Sequence, residues 1–277
     1  MNNDFVYFSS KNQKINITAF GIENLEKKPC IVFVHGFKGF KDWGFWPFLG
    51  NYFAEKGFFV ISFNFSHNGV GDNLTEFTQL DKFAMNTFSL ELEELSEIIN
   101  AYFNGFFGRT ENKNLFLIGH SRGGAISILS TRNCERISGC VLLASVAKLD
   151  RYSERQKEEW RKKGVFQTIN TRTKQVMSLN VTLLEDIEKN GNSSLNIETA
   201  IKSFKKPLLI IHGKEDLAVP VSEAELLYSR ANKPNCEFHI IEATGHTFNA
   251  SHPFSGTNDK LNKVILLTES FLTKHIN

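Results

Sequence analysis

The sequence predicts an α/β domain built on a mostly parallel sheet covered by helices on both faces. Two observations predict it. Short runs rich in β-branched and aromatic residues recur at 30–35 (CIVFVH), 58–65 (FFVISFNF), 114–119 (NLFLIG), 139–144 (GCVLLA), 207–212 (PLLIIH) and 236–241 (CEFHII), and they are continuously apolar rather than alternating. That pattern suits strands buried from both sides. Amphipathic stretches separate them, and strand–helix alternation at this rhythm implies right-handed crossovers between parallel strands.

Taken in order, residues 5–8 and 15–20 read as an antiparallel hairpin at one edge of the sheet. Helices are expected over 47–56, 80–103, 122–132, 222–231 and 258–275; in the second, Phe88, Leu92, Leu95 and Ile99 fall at helical spacing. The segment 148–206 breaks the rhythm. It is polar and charged, with helix-like pieces at 151–163 and 179–190 and a loop signal at Asn190-Gly191-Asn192-Ser193-Ser194. Its place between two core strands predicts a helical cap, at about 148–204, over the carboxyl edge of the sheet, where ligands of such sheets bind. The whole chain, with the cap inserted in it, reads as one domain spanning 1–277.

The 277 residues are 41% hydrophobic and 22% charged, an ordinary globular composition, with a formal charge of only +2. No basic face for nucleic acid is indicated. The start lacks a basic region followed by an apolar one, so no leader is expected, and no apolar run has the length of a membrane span. Cys30, Cys134, Cys140 and Cys236 form no Cys-x-x-Cys and no zinc spacing; they read as free thiols, which points to a cytoplasmic protein. No motif for a metal, nucleotide or flavin is present. The 26 phenylalanines read chiefly as core, with some available to line an apolar pocket.

The chemistry-bearing motif is Gly119-His120-Ser121-Arg122-Gly123-Gly124. It follows a strand-like run and opens a helix-like one, the context that makes a G-x-S-x-G a nucleophile turn. The glycines allow the sharp turn, and the serine hydroxyl is exposed at its apex. Upstream, His35-Gly36-Phe37-Lys38-Gly39 also follows a strand-like run. Such a turn can aim the backbone N–H of Phe37 at the point served by the N–H of Arg122, giving an oxyanion hole. The serine needs a base and the base an orienting acid. After the strand ending at His212 comes Gly213-Lys214-Glu215-Asp216-Leu217-Ala218-Val219-Pro220, in which Asp216 or Glu215 qualifies as the acid; Asp216 is preferred because its shorter side chain fits a turn. His246, in Thr244-Gly245-His246, follows the next strand, 30 residues after Asp216, which leaves room for one helix and one strand. His120 reads as shaping the nucleophile turn and His212 as a core or supporting residue. Five aromatic residues in the nine from Phe40 to Phe48, among them Phe40, Trp43, Phe45 and Trp46, form a candidate wall for an apolar substrate group.

His-Gly-Phe-x-Gly, Gly-His-Ser-x-Gly-Gly, Gly-x-x-Asp-x-x-Val-Pro and Gly-His together resemble the α/β-hydrolase superfamily over essentially the whole chain. The branch they resemble holds cinnamoyl/feruloyl esterases, monoacylglycerol lipases, serine-aminopeptidase-type hydrolases and dienelactone-hydrolase-like proteins. The resemblance implies an eight-stranded, mostly parallel sheet, a cofactor-free acyl-serine mechanism, Ser121, Asp216 and His246 as the triad, and Phe37 and Arg122 as oxyanion donors. Relatives often carry Arg-x-Asp-x-x-Gly-x-Gly-x-Ser where this chain has Asn64 to Asn73; Gly69 and Gly71 remain, but the arginine, aspartate and serine do not, so the substrate does not transfer. The expected function is hydrolysis of a small-molecule carboxylic ester with a small or medium apolar or aromatic acyl group. A serine peptidase or amidase on the same fold is the alternative within enzymes, and a non-catalytic binding protein is the alternative outside them.

Overall fold

A computed structural model describes residues 2–73 and 75–276. An eight-stranded sheet forms its centre, built from β1 (Asn2–Phe8), β2 (Lys14–Phe20), β3 (Cys30–Val34), β4 (Phe59–Phe63), β5 (Leu115–His120), β6 (Ile137–Leu143), β9 (Leu208–Gly213) and β10 (Cys236–Ile241). Their spatial order is β1-β2-β4-β3-β5-β6-β9-β10. The first two strands form the expected antiparallel hairpin, and β2 also runs antiparallel to β4. Every other pairing is parallel.

The uninterrupted apolar strands serve two cores at once. Along β3, Cys30, Val32 and Val34 enter one core while Ile31 and Phe33 enter the other. The two-residue period of a strand makes this division, so a buried strand must be apolar at every position. On one face, α1 (Trp46–Glu55) and α9 (Asp259–Lys274) supply Trp46, Leu49, Phe53, Leu261, Ile265 and Phe271. The other face is covered by α3 (Phe88–Phe103), α4 (Arg122–Ser130) and α8 (Val221–Arg230), through residues such as Leu95, Ile99, Ile126, Leu129 and Leu227.

The expected helix over 80–103 is two helices, α2 (Leu80–Ala84) and α3, broken at Met85-Asn86-Thr87. Thr87 is extended and its side chain accepts from Leu90 N, which caps α3. A capped start satisfies a backbone donor that continuing the helix would have left to its own turn. Asn86, buried, donates to Glu91 at 2.7 Å and fixes the break.

Between β6 and β9 the chain forms α5 (Glu154–Lys163), β7 (Val165–Ile169), β8 (Val176–Asn180), α6 (Val181–Asn190) and α7 (Ile197–Ser203). The helix expected from 179 begins two residues later, because 176–180 is a strand. The antiparallel β7–β8 hairpin and α7 carry no sequence signal, since strands of five residues with mixed apolar and polar positions and a seven-residue helix are too short to show a clear period. Ser153 and Gln156 form a reciprocal capping box at the start of α5, and Gly164 ends the helix in the left-handed conformation. Trp160 is fully buried, packs with Tyr152 and Phe166, and donates from Nε1 to Leu179 O at 3.0 Å. The insertion is tied to the main body where Ser89 N donates to Asp186 at 3.0 Å. Among the described residues all four cysteines are free, no cluster of three or more metal-binding side chains occurs, and no helix is long and apolar enough to cross a membrane.

Candidate active site

Ser121 sits where β5 ends and α4 begins, with φ 57° and ψ −122°. A non-glycine residue at such angles is strained, and the surroundings must hold it there. They do so through backbone bonds: Ser121 N donates to Leu143 O at 2.9 Å, and its carbonyl accepts from Gly124 N at 3.1 Å. The serine side chain makes no capping bond to α4, so its hydroxyl is not committed to the helix. The flanking glycines are required by contact. A methyl added at Gly123 would lie 2.0 Å from Val34 O, one at Gly119 would lie 2.4 Å from Gly123 O, and one at Gly124 would lie 2.5 Å from Ser145 Oγ.

The second turn is pressed against the first. A methyl on Gly36 would fall 2.9 Å from Ser121 Cβ and 3.4 Å from Arg122 N. The Gly36–Gly39 turn closes with Gly39 N donating to Gly36 O at 3.0 Å, and Lys38 takes the left-handed conformation within it. His35 anchors it. Phe65 N donates to His35 Nε2 at 3.2 Å, so Nδ1 carries the proton and donates to Gly36 O at 3.0 Å. The ring of Phe37 stacks on Phe83 at 5.5 Å and faces the Arg122 guanidinium at 4.9 Å. Arg122 is buried and paired with Glu91 at 2.5 Å, so its side chain braces the start of α4 from behind.

At the ends of β9 and β10, His246 Nδ1 lies 2.7 Å from Asp216 Oδ2. A carboxylate accepts, so Nδ1 carries the proton and Nε2 is the basic atom the ring offers to the cavity. The other oxygen of Asp216 accepts from Ala218 N at 2.9 Å and Val219 N at 2.8 Å. Burial works to raise the Asp216 pKa. The hydrogen bonds from His212 and His246, the His246 charge and the Val219 N–H outweigh it and hold the carboxyl well below the usual range. Glu215, the other sequence candidate, is exposed. His212 is fully buried; its Nε2 donates to Val219 O at 2.8 Å and sits 3.3 Å from Asp216 Oδ2. His120 Nε2 donates to the His246 carbonyl at 2.8 Å and so ties the nucleophile turn to the histidine loop. Sequence reasoning gave these two histidines only a general supporting role. A His at or next to the last position of a buried strand is the available signal.

Ser121, His246 and Phe37 line two adjoining cavities. One, of about 300 Å³, is walled by His35, Lys38, Trp43, Trp46, Thr247 and the hairpin turn Ile169 to Arg172. The other, of about 280 Å³, is walled by Phe88, Arg122, Val146, Lys148, Leu149, Arg151, Tyr152 and Val219. Trp43 and Trp46 therefore lie on the wall expected of them. Phe40 and Phe45 correct that expectation: they are 0% and 1% exposed and are not part of either wall. Phe40 packs edge-on to Phe77 and His252, and Phe45 to Trp46 and His120, because the loop folds back over its own helix. The contribution of 169–172 had no sequence signal.

The buried histidines make stability depend on pH. Burial lowers the pKa of His35 from 6.5 to about 4 and that of His120 from 6.5 to about 3. Folding therefore favours the neutral rings; that stability is complete above the unfolded value and is lost as pH falls toward the folded values, at about 1.4 kcal/mol per pH unit for each ring. Glu94, hydrogen-bonded by Ser66, opposes them: burial raises its pKa from 4.5 to about 7, so it adds stability as pH falls through that window. From these three groups together one histidine's worth of loss remains between pH 6.5 and 4.5, about 1.4 kcal/mol per pH unit; the downward shifts of His67, His252 and His275 add to it and the upward shift of buried Glu91 opposes it. Urea midpoints measured across this range should fall on acidification, and more steeply in Glu94→Gln. A flat profile would show that these rings are not held neutral.

A family model of the α/β hydrolase fold matches residues 29–186. A protein of Mycoplasma genitalium provisionally named esterase/lipase 2 is 28% identical over 269 residues, covering 88% of this chain and 92% of the relative. Two solved structures are similar in fold. The α/β hydrolase GrgF from Penicillium sp. sh18 has a TM-score of 0.76 at 13% identity and covers 100% of this chain and 99% of its own. Est1E from Butyrivibrio proteoclasticus has a TM-score of 0.71 at 16% identity, with 99% and 98% covered. With the strand order, the serine turn and the family match in agreement, the chain belongs to the α/β-hydrolase fold family.

Proposed function

We propose that this protein is a serine hydrolase that cleaves a carboxylic ester through an acyl-serine intermediate. The observation that carries the reading is the 2.7 Å Asp216–His246 hydrogen bond at the wall of a cavity that the strained, uncapped Ser121 also lines. In this mechanism His246 Nε2 takes the Ser121 proton, Asp216 holds the imidazole tautomer, and Ser121 Oγ attacks the carbonyl carbon. The N–H groups of Phe37 and Arg122 bind the oxyanion; the closeness of Gly36 to Arg122 N supports this pairing. His246 returns its proton to the leaving alkoxide, and water, deprotonated by the same histidine, releases the acid.

The relative's name, esterase/lipase 2, supports an ester substrate. The cavity walls do so too. An exopeptidase that holds a free amino terminus needs a carboxylate there, and the described lining residues include no Asp or Glu. The segment 148–204 acts as the cap of the single domain 1–277, since its hairpin turn closes one side of the Ser121 cavity.

The test is labelling by a fluorophosphonate together with hydrolysis of p-nitrophenyl esters from acetate to laurate and of a feruloyl ester. The expected result is one phosphonylated residue, mapped to Ser121 by peptide mass, and an acyl-length optimum at short to medium chains, in keeping with a cavity of about 300 Å³. No labelling and no turnover would instead favour a binding protein on a hydrolase fold.

A further inference from the structure

Five cations line the two cavities that meet at Ser121: Lys38 and Arg172 on one side, and Arg122, Lys148 and Arg151 on the other. Two are neutralised from behind, Arg122 by Glu91 and Arg151 by Glu223. Lys148 and Arg172 are both exposed, Lys148 beside Leu149 in the second cavity and Arg172 on the hairpin turn that closes the first, across from Lys38, which is half-buried. Lys38 and Arg172 have no carboxylate partner among the described ion pairs. Lys38 Nζ donates to two neutral oxygens of the cap hairpin, Thr168 Oγ1 at 3.0 Å and Ile169 O at 2.7 Å. Arg172 stands over the Phe40 ring at 6.0 Å. Asp42, the acidic residue of the neighbouring loop, is engaged by Lys41 at 2.7 Å.

Partial burial lowers the pKa of Lys38, the sign of an ammonium held away from water without a counter-charge. A cation in that position gains when an anion arrives, because the partner restores what desolvation removed. Trp43 and Trp46 supply apolar surface on the same wall, next to Ser121.

We propose that the ester cleaved here carries an anionic group, a carboxylate or a phosphate, seated on the wall that Lys38 and Arg172 share while Ser121 faces the ester carbonyl. The proposal rests on the ester-hydrolase reading above and narrows its substrate class. Lys38 and Arg172 would be specificity-determining residues; they touch neither the transferred proton nor the oxyanion.

Two substrate pairs test it. p-Nitrophenyl hydrogen adipate is compared with p-nitrophenyl hexanoate, and 1-butanoylglycerol 3-phosphate with 1-butanoylglycerol, the second pair followed by acid release. The expected result is a kcat/KM at least about tenfold higher for the anionic member of one pair, the scale of one charge-assisted hydrogen bond. The pair that shows it identifies carboxylate or phosphate. The preference should shrink with added salt. In Arg172→Gln and Lys38→Gln the anionic-to-neutral ratio should fall about tenfold, and Arg172→Lys should restore part of it; a merely structural role would lower both members together. Equal or better turnover of the neutral member in both pairs overturns the proposal and leaves the hydrolase reading standing. A ratio unmoved by either substitution also overturns it. If no ester is cleaved and the fluorophosphonate does not label, both readings fall.

Discussion

Ser121→Ala is expected to lower kcat/KM for p-nitrophenyl butyrate on the order of a millionfold, and Asp216→Asn about ten-thousandfold, with both proteins folded. The alanine removes the hydroxyl that forms the acyl bond in the proposed mechanism. The asparagine acts at a distance. Asp216 Oδ2 receives the proton on His246 Nδ1 at 2.7 Å and lies 3.3 Å from His212 Nε2. An amide nitrogen at that position presents a donor to both rings. The imidazole then keeps its proton on Nε2, where it cannot act as the base, while the amide oxygen can still accept from Ala218 and Val219. The double variant should be no slower than Ser121→Ala alone, because the members of such a unit are not additive. Steady-state rates and far-ultraviolet circular dichroism of the three variants decide this. A loss below tenfold in Asp216→Asn would remove Asp216 from the proposed role and reopen it for Glu215.

Gly123→Ala should be the most damaging single methyl in the chain. The added carbon would sit 2.0 Å from Val34 O and 2.6 Å from His35 O, both main-chain atoms at the end of a central strand. No rotamer relieves that contact; α4 must lift off β3, which carries the turn beside Ser121. The expected destabilisation is on the order of 4 kcal/mol, at the upper end for overpacking and a large part of the total for a single domain. Gly57→Ala is the control. Gly57 has φ +88° and nothing within 4 Å of the added methyl, so only backbone strain is incurred, about 1–2 kcal/mol. Urea midpoints for the two variants should differ clearly. Equal midpoints would mean that the α4–β3 contact is looser than the geometry implies, since Gly123 sits in helical backbone that alanine adopts without strain.

Much of this architecture is legible along the chain because the physical causes are local. Strands buried on both faces must be apolar at every residue, so 30–34, 59–63, 115–120 and 208–213 announce themselves without alternation. A serine between glycines at a strand-to-helix junction is equally local: its strained φ of 57° and the contacts at Gly123 arise within one turn of chain and its immediate neighbour strand. The order of Ser121, Asp216 and His246, each just after a strand, follows from those same boundaries.

What tertiary structure decided was never local. The choice between Asp216 and Glu215 is decided by which way the loop after β9 turns each of them, Asp216 buried against His212 and His246 and Glu215 out to solvent. Phe40 and Phe45 went to the core while Trp43 and Trp46 kept the cavity, because aromatic residues close together in sequence face whatever the folded loop sets beside them. The β7–β8 hairpin pairs residues 165–169 with 176–180, two short strands of mixed apolar and polar residues, and it gains its aromatic partner, Trp160, from the helix before it. The sequence by itself thus determined the scaffold and the positions where chemistry can sit. Only the fold, through contacts between residues tens to more than a hundred positions apart, decided which side chains wall the cavity and which charges there go unpaired.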